Sequence, residues 1–344
     1  MTRPPDEAEL RAAIRDGYGF DILGLEVESD GVDAAAWAWR ASTTDGRRLF
    51  VKLRREVRPA AMLVPRHLAA TGFQEVVAAM STTSGAAWLE VDGWTAVVMD
   101  LVDGPTAFRS GLSLDGWRRL GALAARVHAV RLPPELLALV PVDDLQPKAT
   151  TLARGIDDRV DGLADEALDE DGRAVRARWI AERPRIRRLV ERTEELGVRI
   201  RAHDDAAAIR AGFVLCHGDL HAANILVDAD GEIHVVDWDE VVLAPRERDL
   251  MFVRGSVVAG VVTDAEADAF EAGYGQVAID RELLAWYRLD WAVQDVAGFA
   301  AEVLFEPERV PATRPRARRL FEAQFEPGDQ VAIAPADEAH RPTA

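Results

Sequence analysis

A run of polar residues between two short apolar segments has the composition of a catalytic loop. Residues 215–227 read LCHGDLHAANILV, and residues 233–239 read IHVVDWD. Asn224 follows Asp219 by five residues, and Asp237 follows it by eighteen. The Asp219 carboxylate could accept or orient the proton of a substrate hydroxyl, whereas oxygens of Asn224 and Asp237 suit Mg²⁺. These residue types, in this order, are those that phosphoryl transfer requires.

Two other interpretations of this run are open. Asp and Asn are common in turns, so the segment could be an ordinary polar hairpin. His217 and His221 are four residues apart, as in H-E-x-x-H zinc sites. That motif needs a helix, however, and here Gly218 lies between strand-like segments, with Asp219 at the third position of the motif instead of the second. The joint match of the loop and Asp237 favours phosphoryl transfer.

The His-Gly-Asp form of this loop resembles that of the aminoglycoside phosphotransferase family, whose members share the protein-kinase fold. The resemblance implies an α+β, bilobal architecture with a small amino-terminal lobe, built on an antiparallel sheet and one helix, and a larger, mainly helical lobe. It also implies Mg²⁺ as cofactor and ATP or GTP as co-substrate. In this family pattern Asp219 is catalytic, Asn224 and Asp237 hold the metal, and His221 lies near the γ-phosphate. His217 and Asp249 would be structural.

Lysine usage points to a nucleotide-binding strand. Only two of the 41 basic residues, Lys52 and Lys148, are lysines, and Lys52 lies in the strand-like run at 48–53. A compact ammonium at this place in a kinase-like chain would reach the α- and β-phosphates. In the family, the connector after the next strand binds adenine through its backbone, which here implies the carbonyl of Asp100 and the amide of Val102.

Two departures from the family pattern concern the same lobe. The family's helix acid, which pairs with the strand lysine, is missing, since residues 58–74 contain no Asp or Glu. Glu56 and Glu75 are the nearest candidates. A glycine-rich loop is also absent, so that Ser29-Asp30-Gly31 is the candidate for the turn that covers the phosphates.

Residues that could receive the substrate lie farther along the chain. Tyr287, Trp291 and Asp295 recur every four residues in a predicted helix, where they could form an aromatic and acidic wall for a cationic ligand. The favoured alternative is that the aromatic residues of this amphipathic helix pack into the core. Asp239 is a further candidate for the substrate. This helix, together with the run VPRHL at 64–68, resembles the spectinomycin phosphotransferase branch of the family.

The hydrophobic pattern predicts which elements position these residues. Strands are expected at 22–28, 35–42, 48–53, 87–91 and 95–102, and helices at 6–16, 60–71, 113–131, 171–196, 264–275, 280–305 and 313–324. The segment 133–170 has no clean period and is expected to be a lid or insertion. We therefore expect a nucleotide-binding lobe over 1–102, a catalytic and substrate lobe over 103–325, and a mobile tail over 326–344.

Composition excludes several other classes of protein. The formal net charge of −18 argues against nucleic acid or an anionic membrane as partner. It is compatible with a cationic small molecule. The single cysteine, Cys216, excludes an internal disulfide framework. The amino terminus has no apolar core of a signal peptide, so that a cytoplasmic location is expected.

We therefore expect an ATP-dependent kinase that phosphorylates a hydroxyl of a cationic aminocyclitol or aminoglycoside antibiotic. Two alternatives remain: a metabolic kinase of the same fold, acting on choline, homoserine or a sugar, and a non-catalytic kinase-like binding protein. The sequence does not predict the exact substrate or the oligomeric state.

Overall fold

The computed structural model describes residues 4–28, 36–202, 211–253, 262–305, 313–328 and 331. The chain folds into two compact units. The first comprises Met1–Pro141 and His217–Val242, and the second comprises Val142–Cys216 and Leu243–Ala344. Ser29-Asp30-Gly31 and most of the predicted tail lie outside the described residues.

Nine strands lie in the described part of the chain: β1 (Ile22–Val27), β2 (Ala36–Thr43), β3 (Arg48–Arg54), β4 (Leu89–Val91), β5 (Trp94–Asp100), β6 (Val214–Cys216), β7 (Ile225–Val227), β8 (Ile233–Val235) and β9 (Val242–Ala244). The α-helices in the same residues are α1 (Glu7–Tyr18), α2 (Pro59–Ala70), α3 (Ala107–Ser110), α4 (Leu114–His128), α5 (Pro134–Leu137), α6 (Lys148–Arg159), α7 (Glu170–Ala202), α8 (Glu247–Leu250), α9 (Asp264–Tyr274), α10 (Arg281–Phe305) and α11 (Arg314–Ala323).

A five-stranded antiparallel sheet, in the order β1-β2-β3-β5-β4, forms the base of the first unit. Side chains of β3 alternate between its faces, as in any strand. Leu49, Val51 and Leu53 are fully buried in a core that they share with α1. The same alternation places Lys52 on the opposite face, in register with Val97 of β5.

Helix α2 packs on the face of the sheet that carries Lys52. Its Met62 belongs to a buried cluster with Ala79, Ala87 and Val97. Pro59 occupies the first turn, where a missing backbone N–H costs nothing. Arg58, the residue before it, therefore marks the start of the helix.

The hairpin β7–β8 belongs to the first unit, although it is distant from the sheet in sequence. The backbone of Val235 donates to the carbonyl of Glu75 at 2.7 Å, and its own carbonyl accepts from Val77 at 3.1 Å. Thr106 bridges to Leu226 on the other strand. The compact units thus divide the chain differently from the boundary predicted at residues 102 and 103, because these backbone hydrogen bonds tie the hairpin to the amino-terminal segment.

The second unit is mainly helical. Trp179 of α7 is fully buried and stacks on Phe321 of α11 at a centroid distance of 6.2 Å. Helix α7 continues through Pro184. Within the segment 133–170, for which the sequence gives no clean period, α6 is a regular helix that packs against α7 and α10. Its buried stripe, Thr150, Ala153 and Ile156, is too short and too polar to give a clear period.

The observed architecture confirms the predicted α+β class, with its antiparallel amino-terminal sheet and helical remainder. Among the described helices, none has the length and apolar character that a membrane span requires.

Candidate active site

Lys52 lies in a cluster of acidic side chains within the first unit. Its Nζ is 3.0 Å from Oδ1 of Asp237 and 2.5 Å from Oδ2 of Asp239. The Lys52 side chain is only 15% exposed. Burial opposes its charge, but the two carboxylates outweigh burial and raise the pKa of Lys52 above its ordinary value. The ammonium is therefore held charged in the site.

Asp237 adopts a backbone conformation that is uncommon for a residue other than glycine. Its φ and ψ are 61° and 65°, and a short 3₁₀ helix, Trp238–Glu240, follows it directly. Asp is one of the few residues that tolerate the left-handed region, and such strain is often found at functional sites. Although burial acts in the other direction, Lys52 keeps the pKa of Asp237 below its ordinary value. Asp237 is thus an ionised carboxylate.

Gly218 allows the loop of Asp219 to pass against the segment after Asp237. Its φ is +85°, and a Cβ at this position would lie 2.1 Å from the carbonyl oxygen of Glu240. A side chain here would be both strained and in collision with the backbone. Glycine is therefore required by the close approach of the two segments.

The buried side chain of His217 contacts both the loop of Asp219 and the segment that contains Val236 and Trp238. It is 1% exposed, and its ring lies 4.6 Å from the ring of Trp238. The backbone N–H of Asp219 donates to Nδ1 at 3.3 Å, so that Nε2 carries the proton and donates to the carbonyl of Val236 at 3.0 Å. These contacts tie the loop of Asp219 to the segment that carries Val236 and Trp238.

Asn224 ties its end of the loop to Asp219. Its Nδ2 donates to the backbone carbonyl of Asp219 at 2.8 Å and to the carboxylate Oδ2 at 3.0 Å. His221 Nε2 lies 3.3 Å from the same Oδ2. The backbone of Asn224 also accepts from Val236 at 3.0 Å, next to Asp237. The structure therefore brings Asp219, Asn224 and Asp237 together.

The donor set fits a hard divalent cation. The three side-chain hydrogen bonds of Asn224, to Asp219 and His221, all use Nδ2, which makes Oδ1 the atom that could meet a cation. The Asp219 carboxylate is close enough to Asp237 to repel its negative charge, although Lys52 keeps the pKa of Asp237 below its ordinary value. Oxygen atoms with excess negative charge are what Mg²⁺ prefers. Asn224 and Asp237 could hold the ion.

Neither Glu56 nor Glu75, the nearest candidates in sequence, is the acid that pairs with Lys52. Glu56 is exposed, and Glu75 pairs with Arg126 at 3.0 Å. Asp239 was predicted as a substrate residue, but the structure pairs its carboxylate with Lys52 and with Arg54, whose Nη1 is 2.7 Å away. Burial raises the pKa of Asp239 above its ordinary value. The Asp239 carboxylate thus has two cationic partners, and its role toward the substrate stays a prediction.

Two arginines that contact the acidic residues of the site, Arg54 and Arg58, were not predicted from the sequence. Arg54 is two residues beyond Lys52 and so shares its face of β3, a signal that strand alternation contains. Arg58 donates to the side chain of Glu240 at 3.0 Å and to the carbonyl of Asp239 at 3.3 Å. The one signal for Arg58 in the sequence is its position directly before Pro59, at the start of α2.

The candidate adenine connector follows directly after the sheet. Asp100 is the last residue of β5, and the amide of Leu101 donates to the carbonyl of Arg48 at 3.0 Å. Val102 follows within the half-buried connector. Gly104 then passes so close to β7 that an added Cβ would lie 1.9 Å from the carbonyl oxygen of Val227.

The other candidate residues belong to the second unit. Asp249 is 1% exposed. Tyr287 is fully buried, and its hydroxyl donates to Asp143 at 2.8 Å, as expected of a core residue. Trp291 is half-buried with its ring edge-on to Phe252, and Asp295 is also half-buried.

Comparison with known proteins adds to this geometry. A model of the phosphotransferase enzyme family matches residues 27–291, well over half of the chain. No curated protein gave a match.

Solved structures show closer likenesses. The complex of spectinomycin phosphotransferase APH(9)-Ia with ADP and spectinomycin is 26% identical, with a TM-score of 0.85 over 98% of this chain and 99% of that chain. The AMP-bound complex of spectinomycin phosphotransferase is 25% identical, with a TM-score of 0.81 over 97% and 100% of the two chains. Amicoumacin kinase, in complex with AMP-PNP, Ca²⁺ and Ami, is 13% identical with a TM-score of 0.60 over 93% and 94%, which shows the fold alone. These similarities confirm the predicted protein-kinase-like fold.

Proposed function

The chain belongs to the phosphotransferase enzyme family, and from this premise we propose that it moves the γ-phosphoryl group of ATP to a hydroxyl of an aminocyclitol antibiotic of the spectinomycin type. Its class, a phosphotransferase that acts on hydroxyl groups, rests on the family match and the similar structures. The observation that carries the finer proposal is the nearly complete overlap with spectinomycin phosphotransferase.

The reaction needs a hydroxyl whose proton can be removed as its oxygen attacks. In the proposed mechanism the substrate oxygen forms a bond to the γ-phosphorus while the bond from that phosphorus to the β,γ-bridging oxygen breaks, so that ADP leaves. Asp219 accepts the hydroxyl proton. Its carboxylate is already oriented by the amide of Asn224 at 3.0 Å, so little reorganisation is needed during the reaction.

Charge neutralisation is the second requirement. Lys52, held charged between two carboxylates, would contact the α- and β-phosphates. Asn224 and Asp237 would hold Mg²⁺, which neutralises phosphate charge when it is bound. His221 is 3.3 Å from Asp219 and would lie near the γ-phosphate. The backbone carbonyl of Asp100 and the amide of Val102 would hydrogen-bond adenine.

The surface charge suits the proposed substrate. With a net charge of −18, the protein attracts cationic small molecules, and spectinomycin and the aminoglycosides carry amino groups. Trp291 and Asp295 remain proposed substrate contacts of the second unit. ATP as phosphoryl donor agrees with a cytoplasmic location.

A coupled ADP-release assay tests the proposal. Mg·ATP is combined with spectinomycin, several aminoglycosides, choline, homoserine and simple sugars, in separate reactions. We expect stimulation by spectinomycin that Asp219→Ala removes, while nucleotide binding by calorimetry persists in that variant. Stimulation by a metabolite alone would move the function to metabolism. No turnover with any compound, together with no Mg·ATP binding, would support a non-catalytic protein.

A further inference from the structure

Lys52 of β3 pairs with an acidic residue that does not come from helix α2. Helix α2 lies on the same face of the sheet as Lys52, but residues 58–74 include no Asp or Glu. Instead, Asp239 approaches Lys52 at 2.5 Å from the 3₁₀ helix Trp238–Glu240. Both side chains are less than one-fifth exposed, at 15% and 19%. A mostly buried pair of this kind is costly to break from one side only.

Asp239 is itself held by two arginines. Its Oδ2, the atom nearest Lys52, is also 2.7 Å from Nη1 of Arg54. Arg58, at the start of α2, donates to the carbonyl of Asp239 and to the carboxylate of Glu240. Helix α2 therefore contributes a positive group to the site, and the negative group comes from the segment after Asp237.

The charges of this cluster balance. Lys52 and Arg54 supply two positive charges, and Asp237 and Asp239 supply two negative ones. If Asp237 coordinates a metal ion, as in the proposed function, Asp239 is the carboxylate that remains ion-paired with Lys52. Removing Asp239 would remove the carboxylate that Lys52 and Arg54 share, so the ammonium would lose the contact that fixes its position.

We propose that Asp239 is the positioning residue that aims Lys52 at the nucleotide phosphates, and that Arg58, the N-cap residue of α2, fixes the segment that carries Asp239 through its ion pair with Glu240. This inference rests on the proposed function, because it takes Lys52 to be the phosphate-binding lysine. It differs from a substrate role for Asp239 and from a role as a third metal ligand.

The first test is Asp239→Asn in the full-length protein. The expected result is a rise in the KM for ATP of about tenfold or more, because the ammonium loses one of its mostly buried partners. The KM for the antibiotic and the Mg²⁺ concentration needed for half-maximal rate should stay within about twofold. A change confined to the antibiotic KM would overturn the inference in favour of a substrate contact. A change confined to the Mg²⁺ dependence would overturn it in favour of a metal ligand.

Lys52→Met serves as the reference, since it removes the group that Asp239 is said to position. If Lys52→Met leaves nucleotide affinity unchanged in calorimetry, the proposed role of Lys52 fails. If Lys52→Met weakens nucleotide binding and Asp239→Asn does not, only the present inference fails. Glu232→Gln is the matched control, because this carboxylate forms a 2.6 Å ion pair with Arg119 in the same unit and should leave the KM for ATP unchanged.

Exchanging the charges of Arg58 and Glu240 tests whether this ion pair fixes the segment that carries Asp239. This test does not depend on whether Asp239→Asn folds. Arg58→Glu and Glu240→Arg each place like charges together at a pair that is about half exposed, 41% and 50%. Each should raise the KM for ATP by up to about fivefold, in keeping with a solvent-screened pair. The double variant should regain most of the loss. Additive defects in the double variant would refute the anchoring role.

Discussion

Gly218→Ala adds a single methyl group, and the structure predicts a large effect on turnover from this small change. The added Cβ would lie 2.1 Å from the carbonyl oxygen of Glu240 and 2.9 Å from its carbonyl carbon, whereas real Cβ contacts are essentially never shorter than 3.0 Å. The loop and the 3₁₀ segment must therefore separate by roughly 1 Å, a misplacement that can lower turnover about 10²-fold. The φ of +85° adds about 1–2 kcal/mol of strain.

Gly46→Ala is the matched control for this variant. Gly46 lies in the turn between β2 and β3 with a φ of +86°, and an added Cβ would meet nothing within 4 Å. Both variants thus carry the same backbone strain, but only Gly218→Ala carries the collision. Each should lose thermal stability by several degrees, at about 2–4 °C per kcal/mol, with the larger loss in Gly218→Ala.

The assay compares kcat by ADP release with the melting temperature of each variant. Gly46→Ala should keep the wild-type kcat at temperatures where it is folded, whereas Gly218→Ala should lose about 10²-fold. Equal kcat values for the two variants would refute the claim that close contact at Gly218 positions Asp219.

Three further substitutions test other parts of the account. Lys52→Arg should raise the KM for ATP and lower kcat, together by about tenfold or more, because a planar fork replaces a compact ammonium between two carboxylates; unchanged kinetics would contradict the assignment. Asp237→Ala should reduce Mg²⁺-dependent turnover to background, and full activity at ordinary Mg²⁺ would exclude it as a ligand. Asp290→Asn tests pH dependence, since burial raises the pKa of Asp290 from 3.8 to about 7. The folded protein therefore binds this proton more tightly than the unfolded chain, and stability falls as pH rises from about 4 to about 7. Between pH 5 and pH 8 the free energy of unfolding of the variant, measured with denaturant, should rise by about 3 kcal/mol relative to that of the wild type; a constant difference would disprove the effect.

The regular elements could be predicted because their patterns are local. Leu49, Val51 and Leu53 alternate along β3 and are all fully buried, and long amphipathic helices such as α4 show a clear period. The contact between Asp219 and Asn224 could be predicted because the two residues are only five apart in the sequence. Helix α6 was missed, since its few buried positions include a threonine and an alanine.

The partner of Lys52 could not be predicted from spacing. Asp239 is 187 residues away in the chain, and the contact depends on how the 3₁₀ segment after Asp237 meets β3. A residue's charge and its neighbours in sequence do not determine such a contact. For the same reason Arg58 carried no signal beyond its place before Pro59.

We propose that this chain transfers a phosphoryl group to an antibiotic hydroxyl. The most direct measurement uses ATP labelled with ¹⁸O in its γ-phosphate, together with Mg²⁺ and spectinomycin, and follows the label by mass spectrometry. We expect spectinomycin that carries one labelled phosphoryl group with the wild-type protein, and no labelled spectinomycin with Asp219→Ala. Label found only in inorganic phosphate, with spectinomycin unmodified, would contradict it.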